Sequence, residues 1–178
     1  MNQAARTDPS QMTRIFMSLP HYHFYGHVST AIKNERLYRL SLGQMLQEIA
    51  ERLLNASETR GSSLSHHQHE SLEELVEDLG ALITHLNRRG NIQLADSRTE
   101  TIEALRELDN KLIMLLEQVW HMSQAVLRPE CNSEAFDEGV QYLLLMLQAF
   151  AETAEERNQL LGLGWESEFG MNPMPRRK

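Results

Sequence analysis

The sequence predicts an all-α protein: an up-down-up-down four-helix bundle with an irregular N-terminal strap and a short, flexible C-terminal tail. Three observations predict it. Four long stretches of the 178 residues repeat apolar side chains at three- and four-residue spacing. No stretch of comparable length alternates with the period of two that a half-buried strand requires. The links between the four stretches are short and carry Gly, Asn, Ser and Pro, so consecutive helices should run antiparallel. The expected division is a strap over 1–28, a bundle over 29–161 and a tail over 162–178.

The strap comes first. It holds Met12, Ile15, Phe16, Met17, Leu19, Tyr22, Phe24 and Tyr25, too much apolar surface to leave in water. Burying three such side chains, at about 1.5–3 kcal/mol each, would outweigh the entropy of ordering the segment. Pro20 argues against one continuous helix through it. The first long helix is expected over 29–55, with Tyr38, Leu42, Met45, Ile49 and Leu53 inward. The second, over 70–89, has the stripe Leu72, Leu75, Val76, Leu79, Leu82, Ile83 and Leu86. Both Ser65 with Gln68 and Ser71 with Glu74 fit a capping box, so its start is open. The third, over 98–127, follows the box Ser97 to Glu100 and turns Leu105, Leu108, Leu112, Leu115, Val119, Met122 and Val126 inward. The fourth, over 133–161, has Asn132 as its cap and Phe136, Val140, Leu143, Leu147, Phe150 and Ala154 as its stripe. Gly43 and Gly80 would lie at nearly the same height of an antiparallel pair. Close backbone approach could offset the cost of about 1 kcal/mol each carries against Ala. Two tolerated surface glycines are the other reading.

Composition narrows the function classes. The longest apolar run, Tyr142 to Leu147, is far short of the ~20 residues of a membrane span. No apolar leader is visible, and the one cysteine, Cys131, suits a reducing compartment, so a cytoplasmic protein is expected. The net charge of −8 is uneven: residues 1–47 carry +3, 48–110 carry −7 and 111–178 carry −4. An acidic body repels phosphate backbones, which leaves the basic head as the exception.

The third and fourth helices have more apolar surface than one stripe needs. Ile113, Trp120 and Leu127 lie off the main face of the third, and Tyr142, Leu145, Met146 and Ala149 off that of the fourth. A homodimer through these outer faces is expected, with burial under the chain's own strap as the competing reading. Phe16, Tyr22, Phe24 and Tyr25 of the strap complete the candidate interaction surface. With Arg14, Lys33, Arg36 and Arg39 nearby, the same aromatics could stack single-stranded bases, a less favoured alternative.

Histidines cluster as His21, His23 and His27, and as His66, His67 and His69, the residue types of a Zn or Ni site. The first long helix puts about 40 Å between the clusters, so one joint site is impossible. Histidines at helix ends are the simpler reading, and no metal or other cofactor is expected. The paired Glu-x-x-His of a di-iron bundle, a phosphate loop, a dinucleotide fingerprint and a nucleophile elbow are all missing from the sequence. Glu117 and His121 fit a surface pair, and Asp109 reads as a flank position on the third helix. The expected function is therefore a non-enzymatic helical interaction module: an adaptor, inhibitor or regulatory subunit. A metal-binding regulator and a nucleic-acid accessory factor are the alternatives.

Overall fold

Apolar period and capping chemistry place the helices close to where the sequence puts them. The computed structural model describes residues 9–25, 27–59, 64–86, 99–128 and 131–161. These contain helices α1 (Pro9–Met17), α2 (Val28–Thr59), α3 (His66–Leu86), α4 (Thr99–Val126) and α5 (Ser133–Leu160), with a 3-10 turn at Tyr22–Phe24. No strand occurs among the described residues, and none of their helices is long and apolar enough to cross a membrane. The four long helices expected from the sequence are α2 to α5. In the described part of the strap, Pro20 falls between α1 and the 3-10 turn, and no continuous helix runs through it.

Two caps act as their sequences indicate. The Ser65 hydroxyl accepts from the Gln68 amide at 3.2 Å while the Gln68 side chain accepts from the Ser65 amide at 3.0 Å. That reciprocal box starts α3 at His66 and settles the choice against Ser71. The Asn132 side chain accepts from the Ala135 amide at 2.8 Å and opens α5. The box at Ser97, Pro129, the loop glycines at 61 and 90, and the tail over 162–178 lie outside the described residues.

The long helices pack in a closed circuit: α4 on α5, α5 on α3, α3 on α2 and α2 on α4, with α1 and the 3-10 turn against α2. Leucines dominate the core they enclose, among them Leu42, Leu46, Leu53, Leu75, Leu79, Leu112 and Leu116, filled out by Tyr38, Trp120 and Phe150. A smaller apolar cluster of Tyr22, Tyr25, Ala31, Leu105 and Leu161 sits under the strap.

The circuit revises three sequence expectations. Helix α4 touches both α5 and α2, so it buries a face wider than one stripe. Ile113 and Trp120 consequently lie in the core, with Trp120 only 1% exposed and the Arg52 guanidinium 4.1 Å from its ring centroid. The paired-glycine contact is absent: a Cβ at Gly43 or Gly80 would meet nothing within 4 Å. The close approach is at Gly139 instead, where a Cβ would collide with the Val126 side chain of α4. Asp109 is no flank residue; it is buried.

Candidate functional site

Three charged residues occupy inward positions on helical apolar stripes. Glu35 follows Ala31 and precedes Tyr38 on α2, Asp109 follows Leu105 on α4, and Arg157 follows Ala154 on α5. Their exposures are 1%, 2% and 2%, so their charges must be compensated by protein. Arg157 does this with its planar fork. Its Nε donates to Asp109 Oδ1 at 2.6 Å, Nη1 to Glu35 Oε2 at 2.8 Å, and Nη2 to Glu35 Oε1 at 2.6 Å.

The strap completes the cluster. The Tyr22 hydroxyl donates to Asp109 Oδ2 at 2.6 Å and accepts from Arg157 Nη2 at 2.8 Å. The Tyr25 hydroxyl donates to Glu35 Oε1 at 2.7 Å. Half-buried Arg39 donates to Glu35 Oε2 at 3.2 Å and to the Asn158 side chain at 2.8 Å. Glu35 thus accepts four hydrogen bonds, the full capacity of a carboxylate. Two acids and two arginines make the group neutral. The Tyr38 ring lies under the Arg157 guanidinium at 4.9 Å, and its hydroxyl makes no well-formed hydrogen bond.

Burial alone would raise the Glu35 carboxyl, but Arg157 and Arg39 overcome it and hold the group down at about 2. Asp109 goes the other way: burial raises it, and its share of Arg157 does not fully offset that loss of water. Burial raises Tyr22 and Tyr25 far above their ordinary value. The two carboxylates hold Arg157 charged despite its burial. Glu35, both tyrosines and Arg157 are all moved away from neutral pH. The cluster ties strap, α2, α4 and α5 together through buried charge-assisted hydrogen bonds.

The tie sets what the head presents to solvent. Ile15, Pro20, Tyr22 and Tyr25 face inward, whereas Phe16, Met17 and Phe24 are exposed. Behind Glu35, the outer side of α2 exposes Ile32, Leu37 and Leu40 beside Lys33 and Arg36. Of the ten exposed large apolar residues among the described ones, six lie between Phe16 and Leu40. The one acid from residue 13 to 40 is Glu35, which is buried, so the exposed charges that this segment contributes are all cationic.

The other candidate residues scatter. Tyr142 and Leu145 are exposed on α5, whereas Met146 and Ala149 are half-buried against the core. Leu127 also packs on the core. Exposed His23 lies 3.1 Å from Arg106 Nη2, and His21 and His27 are exposed as well. His66 pairs with Glu70 at 3.3 Å, and His67 lies 3.7 Å from Asp137. Among the described residues, no three side chains of metal-ligating type come together. His121 and Glu117 form the expected surface pair at 3.9 Å.

A half-open groove of about 400 Å³ lies between α2 and α3, lined by Leu54, Ser57, Glu58, His69 and Leu72 among others. Ser57 Oγ and His69 Nδ1 are 2.9 Å apart there. A hydroxyl–imidazole pair is half of a nucleophile–base arrangement. Ser57 is only 8% exposed, however, and the bond serves to tie α2 to α3.

The sequence puts Tyr22 and Tyr25 on an interaction surface, whereas they are buried and donate to Asp109 and Glu35. Opposite charges at apolar-stripe positions on three helices were the available signal. No family model, curated protein or solved structure matches this chain.

Proposed function

We propose that this chain is a non-enzymatic helical protein–protein interaction module that docks its partner on the basic, apolar head. One observation carries the reading: exposed apolar side chains concentrate where exposed charge is of a single sign, over residues 13–40. Scattered single apolar residues need no explanation, whereas a concentrated group does. The ionic tie supports the reading from beneath. It holds the strap and the first half of α2 rigid, so little ordering entropy would be lost when a partner docks. An up-down-up-down four-helix bundle is the framework we propose for it. The closed packing circuit and the ties from Glu35 to Arg157 support that topology.

Self-association through α4 and α5 has less to work with, since Met114, Tyr142 and Leu145 are the large apolar residues exposed there among the described ones. A cytoplasmic setting fits the lone thiol of Cys131. Site-specific photo-crosslinking in the cells that make the protein separates the two surfaces. A photoreactive residue at position 40 should trap a discrete protein adduct, and one at position 145 should not. No adduct from position 40, with a doubled-mass adduct from 145, would return the interface to the outer face of α5.

A further inference from the structure

We infer that the outer stripe of α2 over residues 32–40 receives an acidic amphipathic helix from a different protein; the inference rests on the module reading and specifies its partner. The stripe consists of two adjacent rows at four-residue spacing, Ile32, Arg36 and Leu40 in one and Lys33 and Leu37 in the other. All five side chains are exposed, and the rows span about 12 Å at 1.5 Å per residue, a little over two helical turns. A helix of that length with apolar residues at i, i+3 and i+4, flanked by Asp or Glu, matches both the apolar and the cationic elements.

Charge decides against the other occupants. A symmetric pairing of this stripe with its own copy sets Lys33 and Arg36 against the same bases, a like-charge contact across the interface. Docking of the stripe onto the acidic body of a second copy joins two different patches. Such a heterologous contact closes only into rings, or grows as open filaments. Nucleic acid and anionic membranes are extended polyanions, and either would meet the body over 48–178, which carries a net −11. A short acidic helix touches the head alone. The stripe is also held in register from behind, because Glu35 and Arg39 on the same turns are locked to Arg157 and Asn158 of α5.

The test uses the full chain and two labelled 16-residue helical peptides. Both carry leucines at i, i+3 and i+4; one has glutamates at the flanking positions and the other lysines. Fluorescence anisotropy should show saturable binding of the glutamate peptide that weakens with added salt. Binding should fall at least tenfold in Arg36→Glu and in the double variant Leu37→Gln/Leu40→Gln. These positions are exposed, so unchanged circular dichroism melting confirms that both variants fold.

Equal or tighter binding of the lysine peptide, still dependent on Leu37 and Leu40, would overturn the acidic partner and leave the module reading standing. Failure of both peptides to saturate at millimolar concentration would overturn the stripe as a helix-docking site. The module reading would then stand or fall on the crosslink at position 40. Binding of oligo-dT or phosphatidylserine vesicles that is lost in the same variants would overturn the protein partner in favour of nucleic acid or membrane.

Discussion

The two ends of the helical body solve the same packing problem with opposite chemistry. At the strap end, Glu35, Asp109 and Arg157 sit where leucines would ordinarily be, and hydroxyls from Tyr22 and Tyr25 complete their hydrogen bonding. Toward the other end, Leu53, Leu72, Trp120, Val126, Phe136 and Val140 fill the same kind of interior with hydrocarbon and an indole. Leucine packing is non-directional and stabilises by area removed from water. A desolvated ion cluster gains little net stability over hydrocarbon, but only one arrangement satisfies it. The polar end should therefore specify position, including that of the strap, and the apolar end should supply most of the net stability.

The largest expected effect breaks that comparison directly. Arg157→Met leaves buried Asp109 without a cation and Glu35 with Arg39 alone, which should cost about 3–5 kcal/mol in urea unfolding at pH 7. Leu116→Ala, in the leucine core, should cost a similar ~2–5 kcal/mol. The pH dependence separates them. The deficit of Arg157→Met should shrink as pH falls and the stranded carboxylates protonate, whereas that of Leu116→Ala should stay constant. Parallel pH profiles for the two variants would show that both ends are held by packing alone.

A smaller effect sharpens the division of labour inside the cluster. Glu35 is held at about 2 against an ordinary 4.5, so its contribution is fully present above pH 4.5 and is lost as pH falls toward 2. A shift of that size corresponds to on the order of 3 kcal/mol. Asp109 is raised, so its burial costs stability at neutral pH, and acid relieves the cost as it protonates the group. Glu35→Gln should therefore flatten the acid limb of the stability curve, and Asp109→Asn should steepen it. Acid titration followed by far-ultraviolet circular dichroism would decide; the reverse order would mean that Asp109 is the principal partner of Arg157.

The smallest effects concern glycines. Gly80→Ala should raise stability by about 1 kcal/mol, because a Cβ there meets open space on an exposed helical turn. Gly139→Ala should lower stability and loosen α5 from α4, since Val126 occupies the place the Cβ would take. Melting temperatures that move in the same direction for both would remove the contact between α4 and α5 as the reason for glycine at 139.

The sequence by itself determined the helical class, the extents of α2 to α5 within a few residues, and the inward stripes. Those follow from local period and from caps such as Ser65 and Asn132, whose partners lie three residues away. It also led to the expectation that the strap docks, and Ile15, Tyr22 and Tyr25 are buried although Phe16, Met17 and Phe24 stay exposed. The tertiary structure decided which half of the strap's side chains point inward: Tyr22 and Tyr25, but not Phe16 and Phe24. It decided that Trp120 and Ile113 serve the core, because the width of a helix's buried face depends on how many neighbours it has. It decided above all that Glu35, Asp109 and Arg157 meet. Glu35 and Arg157 are 122 residues apart in the chain, and a charge on an apolar stripe looks the same in sequence whether it borders the core or is buried in it. Only the partner brought by another helix tells the two apart, because a buried charge is tolerable when, and only when, an opposite charge is folded against it.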